Sequence, residues 1–397
     1  MIVTDILDGA GAQRTDFSEK SYENKNNMIW TAVSPIGVPN VTAYEFSTID
    51  FPFGSRQGLV VEGSRKNANY RPYVSTNHST ISQEWQVETS KQQTIAIVKY
   101  VGIASTDAFP HTKRTAQQAA LDARACGWDD LVKEHNEAWD ELWDDGDIVV
   151  HGDEQMQIAV RASLFHLLAN IRGGSEGRGL GDNSMSVGGL ASDSYAGFVF
   201  WDADCMFYTL QLHLAARTNT RFQVWILPGL LVLHPDHAST INNYRSRMLP
   251  QARENAKQYK SNGVLYPWTS ARFGNCTATG PCVDYQYHLN TDIALMNWHQ
   301  FLTTGDQGWL KQQAWPIIKG VADMWASKVQ IANEAGDDGL RPGMYVVRNM
   351  TDPVCLSRYL GLEISITDWQ DRMNMQITSI TVLLQMLASR SSWVLPR

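Results

Sequence analysis

No run of eighteen apolar residues occurs in the 397-residue chain, so no transmembrane helix is expected. No cluster of lysine or arginine stands out, and 33 basic against 41 acidic residues leave a formal charge of −8. Such a surface does not attract phosphate backbones or anionic lipid, which argues against nucleic acid and membrane insertion and leaves neutral ligands open. Cysteine is scarce: there are five, an odd number, so at least one thiol is left over and no disulfide framework organises the fold. The glycine-rich "RGGSEGRGLG" lacks the lysine of a phosphate loop and the spacing of a dinucleotide fold. His288 with His299 or Asp292 has no metal-ligand spacing, so neither metal nor cofactor is expected. The opening "MIVTDILDGAGAQR" has no charged n-region and no apolar h-region, so no signal peptide is legible there.

What the chain does have is a 43% apolar content and 14 tryptophans, which predict a globular protein of two or three domains. Residues 1–108 read as short strands: "WTAVSP", "TAYEFSTI", "GLVVEG", "STISQEWQVE" and "QTIAIVKYVGIAS", an antiparallel sandwich. Over 109–150 the period changes to helical, predicting one or two linker helices between 115 and 145. Asp153 is placed to cap the next helix, over 153–171. Further helices are expected over 200–216, over 234–259 with a break at Pro250, over 290–303, and over 308–329 despite Pro316. Long loops at 172–197 and 263–282 carry the glycines and isolated polar residues, which gives them a functional look. Helices alternating with such loops fit helix pairs around a cavity, occupying 151–353; residues 354–397 do not continue the pattern.

Two loops deliver polar and aromatic residues together. "SYAGFVFWD" leads to Tyr195, Trp201, Asp202 and Asp204; "YPWTSARFG" leads to Trp268, Arg272 and Phe273. Aromatic faces with convergent carboxylates and amides suit a neutral sugar. The competing reading makes Trp201 a core aromatic and Asp202 a helix cap. In "VDYQYHLN" the central Gln286 has no acidic proton to give, and Asp284 would point elsewhere in an extended segment. Asn290 also fits a helix cap, and His234 and His237 a structural or surface role. Cys276 and Cys282 are close enough for a small disulfide in an oxidising compartment, and equally fit two free thiols. Cys126, Cys205 and Cys355 read as small buried residues. Asn-x-Ser/Thr sequons stand at Asn40, Asn77, Asn275 and Asn349 as glycosylation candidates.

The segments "SDSYAGFVFWDAD" (192–204), "HPDHASTINNYRSRMLPQARENA" (234–256) and "LYPWTSARFGNCTATGPCVDYQYHLNTDIAL" (265–295) resemble the fungal acid trehalases of glycoside hydrolase family 65, and the likeness runs from residue 3 to 353. The resemblance implies a β-sandwich, a helical linker and an (α/α)₆ barrel, with fewer helices here than a closed barrel needs. It implies inverting cleavage of trehalose or a related α-glucoside, by water in the trehalases or by phosphate in the family's disaccharide phosphorylases. It places Phe200, Trp201 and Asp202 along a glucose subsite, with Trp268, Arg272, His288 and Asn290 as further substrate contacts. The family's general acid, a glutamate two residues before a histidine and four before an asparagine, falls on Gln286. No general base is legible, and the chain reads as incomplete at both ends. Three alternatives accompany the trehalase reading: an inactive sugar-binding paralogue, an inert truncated fragment, and a phosphorylase. By resemblance the location is extracellular, cell wall or vacuolar; oligomeric state is not legible.

Overall fold

A computed structural model of the chain describes residues 2–9, 14–51, 60–67, 79–87, 96–173, 183–186, 189, 197–205, 207–209, 223–278, 282–331 and 345–346. The chain forms two compact units, one of residues 1–144 and one that begins at Asp145. The first is β-rich and the second largely helical among the described residues. Residues 354–397 lie outside the description.

The first unit holds β1 (Ile2–Asp8), β2 (Thr15–Glu23), β3 (Met28–Pro35), β4 (Ala43–Asp50), β5 (Val60–Asn67), β6 (Thr80–Val87) and β7 (Val98–Ser105). They form two antiparallel sheets, ordered β1-β6-β5 and β2-β3-β4-β7. Strands β1 and β2 extend the series read from sequence. Successive residues of β3 face opposite ways, as the strand pleat requires. Ile29 packs with Leu7 and Ile81 of the other sheet. Met28, Trp30 and Ala32 face Ala116 and Ala120 of α1 (Thr112–Cys126). Between the sheets the Asp5 carboxylate is buried, accepting from Ser47 Oγ at 2.9 Å and Gln83 Nε2 at 3.0 Å, with Lys99 Nζ at 3.0 Å. Gly127, at φ +90°, ends α1 and lets α2 (Trp128–Asp145) start immediately after it.

In the second unit, Asp153 caps α3 (Glu154–Leu168), its Oδ1 accepting from the Met156 N–H at 2.9 Å. The helix expected over 200–216 is not formed by the described residues of that span, 200–205 and 207–209. Instead β8 (Val199–Phe200) is followed by the single turn α4 (Asp202–Cys205) and by β9 (Phe207–Thr209). Val199 and Phe200 are drawn into a ladder with a strand far along the chain, a pairing that local periodicity cannot show. Then come β10 (Gln223–Trp225), α5 (Ile226–Leu233), α6 (Pro235–Arg247) and α7 (Leu249–Gln258); α6 and α7 flank Met248, with Pro250 in the first turn of α7. Strand β11 (Thr269–Ser270) pairs with β8. Helix α8 (His288–Thr304) ends at Gly305 in the left-handed conformation. Pro316 is accommodated because the chain forms the short α9 (Gln307–Trp309), widens into a π-turn over Leu310–Ala314, and restarts as α10 (Trp315–Lys328), where proline needs no donor partner. The described part ends with β12 (Gln330–Ile331) and β13 (Tyr345–Val346).

The main core of this unit packs Leu265 and Tyr266 against Leu289 and Ile293 of α8 and Ile317 and Val321 of α10. Buried amides lock α8 to α6: Asn242 Nδ2 donates to Gln300 Oε1 at 2.6 Å, and Asn297 Nδ2 donates to Asn242 Oδ1 at 3.2 Å. That frame fixes the start of α8, where the polar residues singled out from sequence lie.

Candidate functional site

Three stretches distant in sequence meet: residues 199–204, 265–271 and 282–290. The β8–β11 ladder pairs Phe200 with Thr269 and Val199 with Ser270. One residue on, the Trp201 N–H donates to the Trp268 carbonyl at 3.3 Å. The rings follow the backbone: Phe200 meets Trp268 edge-on with centroids 5.0 Å apart, and Trp201 meets His288 edge-on, also at 5.0 Å. Trp201 and Trp268 are half-buried, whereas Phe200 and His288 are buried. Aromatic edges and half-exposed faces of this kind offer apolar area to a ring-shaped ligand.

Asn290 is not a helix cap. Tyr287 takes the cap position, and Asn290, fully buried, lies in the first turn of α8. Its Oδ1 accepts from the Tyr266 N–H at 2.8 Å and its Nδ2 donates to the Tyr287 carbonyl at 3.2 Å. A buried amide tying two segments satisfies backbone groups that the turn leaves open. Gln286 is half-buried, between Tyr285, whose φ of +64° turns the chain, and the buried Tyr287. Asp284 is held away from it: its Oδ1 accepts from the Tyr287 hydroxyl at 2.6 Å, and that hydroxyl accepts from Lys328 Nζ at 3.1 Å. Arg272 and Phe273 are exposed. The side chain of Asp202 and the whole of Tyr195 lie outside the described residues.

Asp204 is turned into the interior. It is buried in an ion pair with Arg245, whose Nε donates to both carboxylate oxygens at 3.1 and 3.0 Å and whose Nη2 makes a further short contact with Oδ2. Burial pushes the Asp204 carboxyl upward, and the charge and hydrogen bonds of Arg245 oppose the rise. The same Nη2 donates to the Phe200 carbonyl at 3.4 Å, and the Arg245 carbonyl accepts from the Tyr266 hydroxyl at 3.0 Å. Burial raises the hydroxyls of Tyr266 and Tyr244, with Arg245 opposing, so both stay protonated and able to donate. Arg245 thus joins all three stretches, directly or through Tyr266 and Asn290. Sequence reasoning missed it; "NNYRSR" carried only a helical period.

Cys276 and Cys282 are joined by a disulfide, with Cα atoms 6.0 Å apart. Cys126 is a free, exposed thiol rather than a small buried residue, because it occupies the last position of α1 beside Gly127. Cys205's side chain and Cys355 lie outside the described residues. The sequon residues Asn40 and Asn275 are exposed; Asn77 and Asn349 are outside the description. His234 and His237 are buried rather than on the surface, and the His234 Nε2 bonds the Gly146 carbonyl at 3.0 Å. Among the described residues no group of three or more His, Cys, Asp or Glu is arranged to hold a metal ion.

Residues 2–142 match the glycosyl hydrolase family 65 N-terminal domain, and residues 161–353 match the glycosyl hydrolase family 65 central catalytic domain. The chain belongs to glycosyl hydrolase family 65, on the side of its fungal and yeast acid trehalases. It is 36% identical over 384 residues to an acid trehalase of Emericella nidulans, the match covering 88% of this chain and 32% of that protein. A cell wall acid trehalase of Candida albicans is 33% identical, covering 89% and 29%. A kojibiose hydrolase of Mucilaginibacter mallensis is 32% identical, covering 63% and 33%. The chain therefore spans about a third of the length of the curated relatives it matches. In fold it is similar to a solved structure described as a kojibiose phosphorylase from the human microbiome, with a TM-score of 0.66 at 16% identity, covering 89% of this chain and 41% of that one. No helix among the described residues is long and apolar enough to cross a membrane.

Proposed function

We propose that this chain carries the glucose subsite of a trehalase-type family 65 glycosidase and that Gln286 impairs its chemical step. The observation that carries the reading is the meeting of Trp201 with His288 and of Asn290 with Tyr266, two residues and four residues beyond Gln286. Phe200, Trp201 and Trp268 supply ring faces. Asp202 accepts from sugar hydroxyls, and Arg272 and His288 complete the contacts, while Asn290, whose buried amide bonds Tyr266 and Tyr287, holds the start of α8 in place. The substrate is trehalose or a related neutral α-glucoside. In architecture, residues 1–108 are read as a β-sandwich, 109–150 as linker, and 151–353 as part of an (α/α)₆ barrel. The names of the Candida albicans relative and its yeast counterparts support an extracellular or cell-wall setting, in which Asn40 and Asn275 are open to N-glycosylation.

In an inverting glycosidase one carboxylic acid protonates the leaving oxygen while a carboxylate activates water on the opposite face. An amide at the acid position keeps nearly the same shape and can hydrogen-bond the glycosidic oxygen, but it gives up no proton. Sugar binding is therefore retained and departure of the leaving glucose is slowed. The test compares this chain with its Gln286→Glu variant, alone and fused to the remaining sequence of the Emericella nidulans enzyme. Trehalose hydrolysis is followed across acidic pH, and sugar binding by tryptophan fluorescence. The glutamate form of the fusion is expected to be faster by roughly 10²–10⁴-fold, the usual worth of general acid catalysis. Equal, measurable rates in the two fusions would remove Gln286 from the acid position.

A further inference from the structure

We propose that the Cys276–Cys282 disulfide positions the aromatic wall of Phe200, Trp201 and Trp268, so that its reduction weakens binding of a neutral sugar while the surrounding fold persists. The proposal rests on the functional reading above. The cross-linked loop grips the wall at both of its ends. Beside one sulfur, the Cys282 carbonyl accepts from the Trp268 N–H at 2.7 Å. Beside the other, the Thr277 N–H donates to the Thr269 carbonyl at 3.3 Å, and the Thr277 and Thr269 hydroxyls bond at 2.9 Å. Trp268 and Thr269 are the residues that hold the other side of the wall: the Trp268 carbonyl accepts from Trp201, and Thr269 pairs with Phe200. The bond thus fixes the spacing between two anchors on consecutive residues. Helices α8 and α10 are secured separately, by Leu289, Ile293, Ile317 and Val321 and by the Trp325 Nε1–Thr291 Oγ1 bond of 2.7 Å. Opening the loop enlarges the set of conformations that Trp268 samples, and a loosened wall loses pre-organisation rather than contacts.

The redox step uses an external dithiol. Its thiolate attacks the sulfur of Cys276, which is half-buried, whereas Cys282 is only 3% exposed. The Cys276–Cys282 bond breaks and Cys282 leaves as a thiolate that takes up a proton. The second thiol of the reagent then displaces Cys276 from the mixed disulfide and closes on itself, so two electrons and two protons pass from the dithiol to the protein.

The experiment compares the oxidised chain, the same chain in dithiothreitol with thiols counted, and a Cys276→Ser/Cys282→Ser variant. Glucose and trehalose are titrated by tryptophan fluorescence. Amide hydrogen exchange is read on peptides covering 199–205, 264–270 and 288–304, and circular dichroism reports the fold. Reduction is expected to lower sugar affinity on the order of tenfold. It is also expected to speed exchange at Trp201 and Trp268 while α8 is unchanged. The serine variant should match the reduced form in either buffer. Unchanged exchange at Trp201 and Trp268 in fully reduced protein overturns the proposal. So does loss of α8 protection or of the fold, which would make the bond a general staple, and so does equal, measurable affinity in the two redox states. An oxidised chain that binds no sugar, yet shows the localised change in exchange, refutes the functional reading and leaves the positioning role standing.

Discussion

Arg245 illustrates what a single buried residue does in this fold. Its guanidinium sits at the junction of α4, α6 and the 265–271 segment, 1% exposed, against the Asp204 carboxylate, the Phe200 carbonyl and the rings of Tyr244 and Tyr266. A charge there is tolerable only because Asp204 is bidentate to it. Removing one partner is therefore worse than removing both. Arg245→Ala is expected to cost about 3–5 kcal/mol by leaving Asp204 charged and unpaired in the interior. The double variant Asp204→Leu/Arg245→Met should recover a large share of that loss. Urea unfolding of the two variants against the native chain checks both figures; a double variant no better than the single one would show that shape, not charge, governs the site. Sequence could supply Asp204 as a polar residue beside a loop. It could not supply the partner, because the pair spans 41 residues and no short-range period links them. The same limit applies to Asn290, whose amide is committed to Tyr266 by a contact 24 residues distant.

At the scale of elements, periodicity was informative wherever packing is local. Strand β3 of the first unit alternates between two cores, the helices over 234–259 and 308–329 appear with breaks beside their prolines, and 290–303 lies within the unbroken α8. It failed at 200–209, where Phe200 pairs in the β8–β11 ladder and the described residues after it form one helical turn and a short strand. It also gave no hint of how closely α10 approaches the chain after α7. There Val264 N–H donates to the Gly320 carbonyl at 3.2 Å, and a Cβ built on Gly263 would lie 1.9 Å from that same oxygen. Gly263 also has φ +70°, a conformation that costs an L-residue about 1–2 kcal/mol before any clash. Gly263→Ala is thus expected to destabilise the second unit by about 2–4 kcal/mol, since backbone on both sides must move. Thermal unfolding measures it. A shift no larger than that of an exposed control such as Gly152→Ala, which shares a positive φ but meets nothing within 4 Å, would show that α10 yields freely.

For the molecule as a whole, two histidines of the second unit link its folding to pH. Burial lowers the proton affinity of His234, an effect that the Gly146 carbonyl opposes, nearby His237 reinforces and Asp145 opposes. Partial burial alone lowers that of His299, half-buried on α8. In each case the fold prefers the neutral ring, while the unfolded chain takes up a proton near the ordinary value of 6.5. Above that value both states are neutral and the preference has no effect on stability. As pH falls below it the unfolded chain binds protons that the native one refuses, so stability is lost until the pH passes the depressed native values. Glu45, in the first unit, is raised chiefly by burial, and its linkage runs the other way; it acts only in the carboxylate range, where stability is lost as pH rises. Between neutrality and about pH 5.5 the two histidines act to lower the stability of the second unit as pH falls, against the buried Asp204 carboxyl, whose upward shift works in the opposite direction. The unfolding midpoint of that unit is expected to fall on acidification through this range. His234→Gln combined with His299→Gln should flatten the slope, and the glutamine at 234 retains a donor for the Gly146 carbonyl. Calorimetry at matched ionic strength from pH 7.5 to 5.5 measures both proteins. If the double variant keeps the native slope, the acid sensitivity lies in other groups, and the two histidines are packing residues without a titration role.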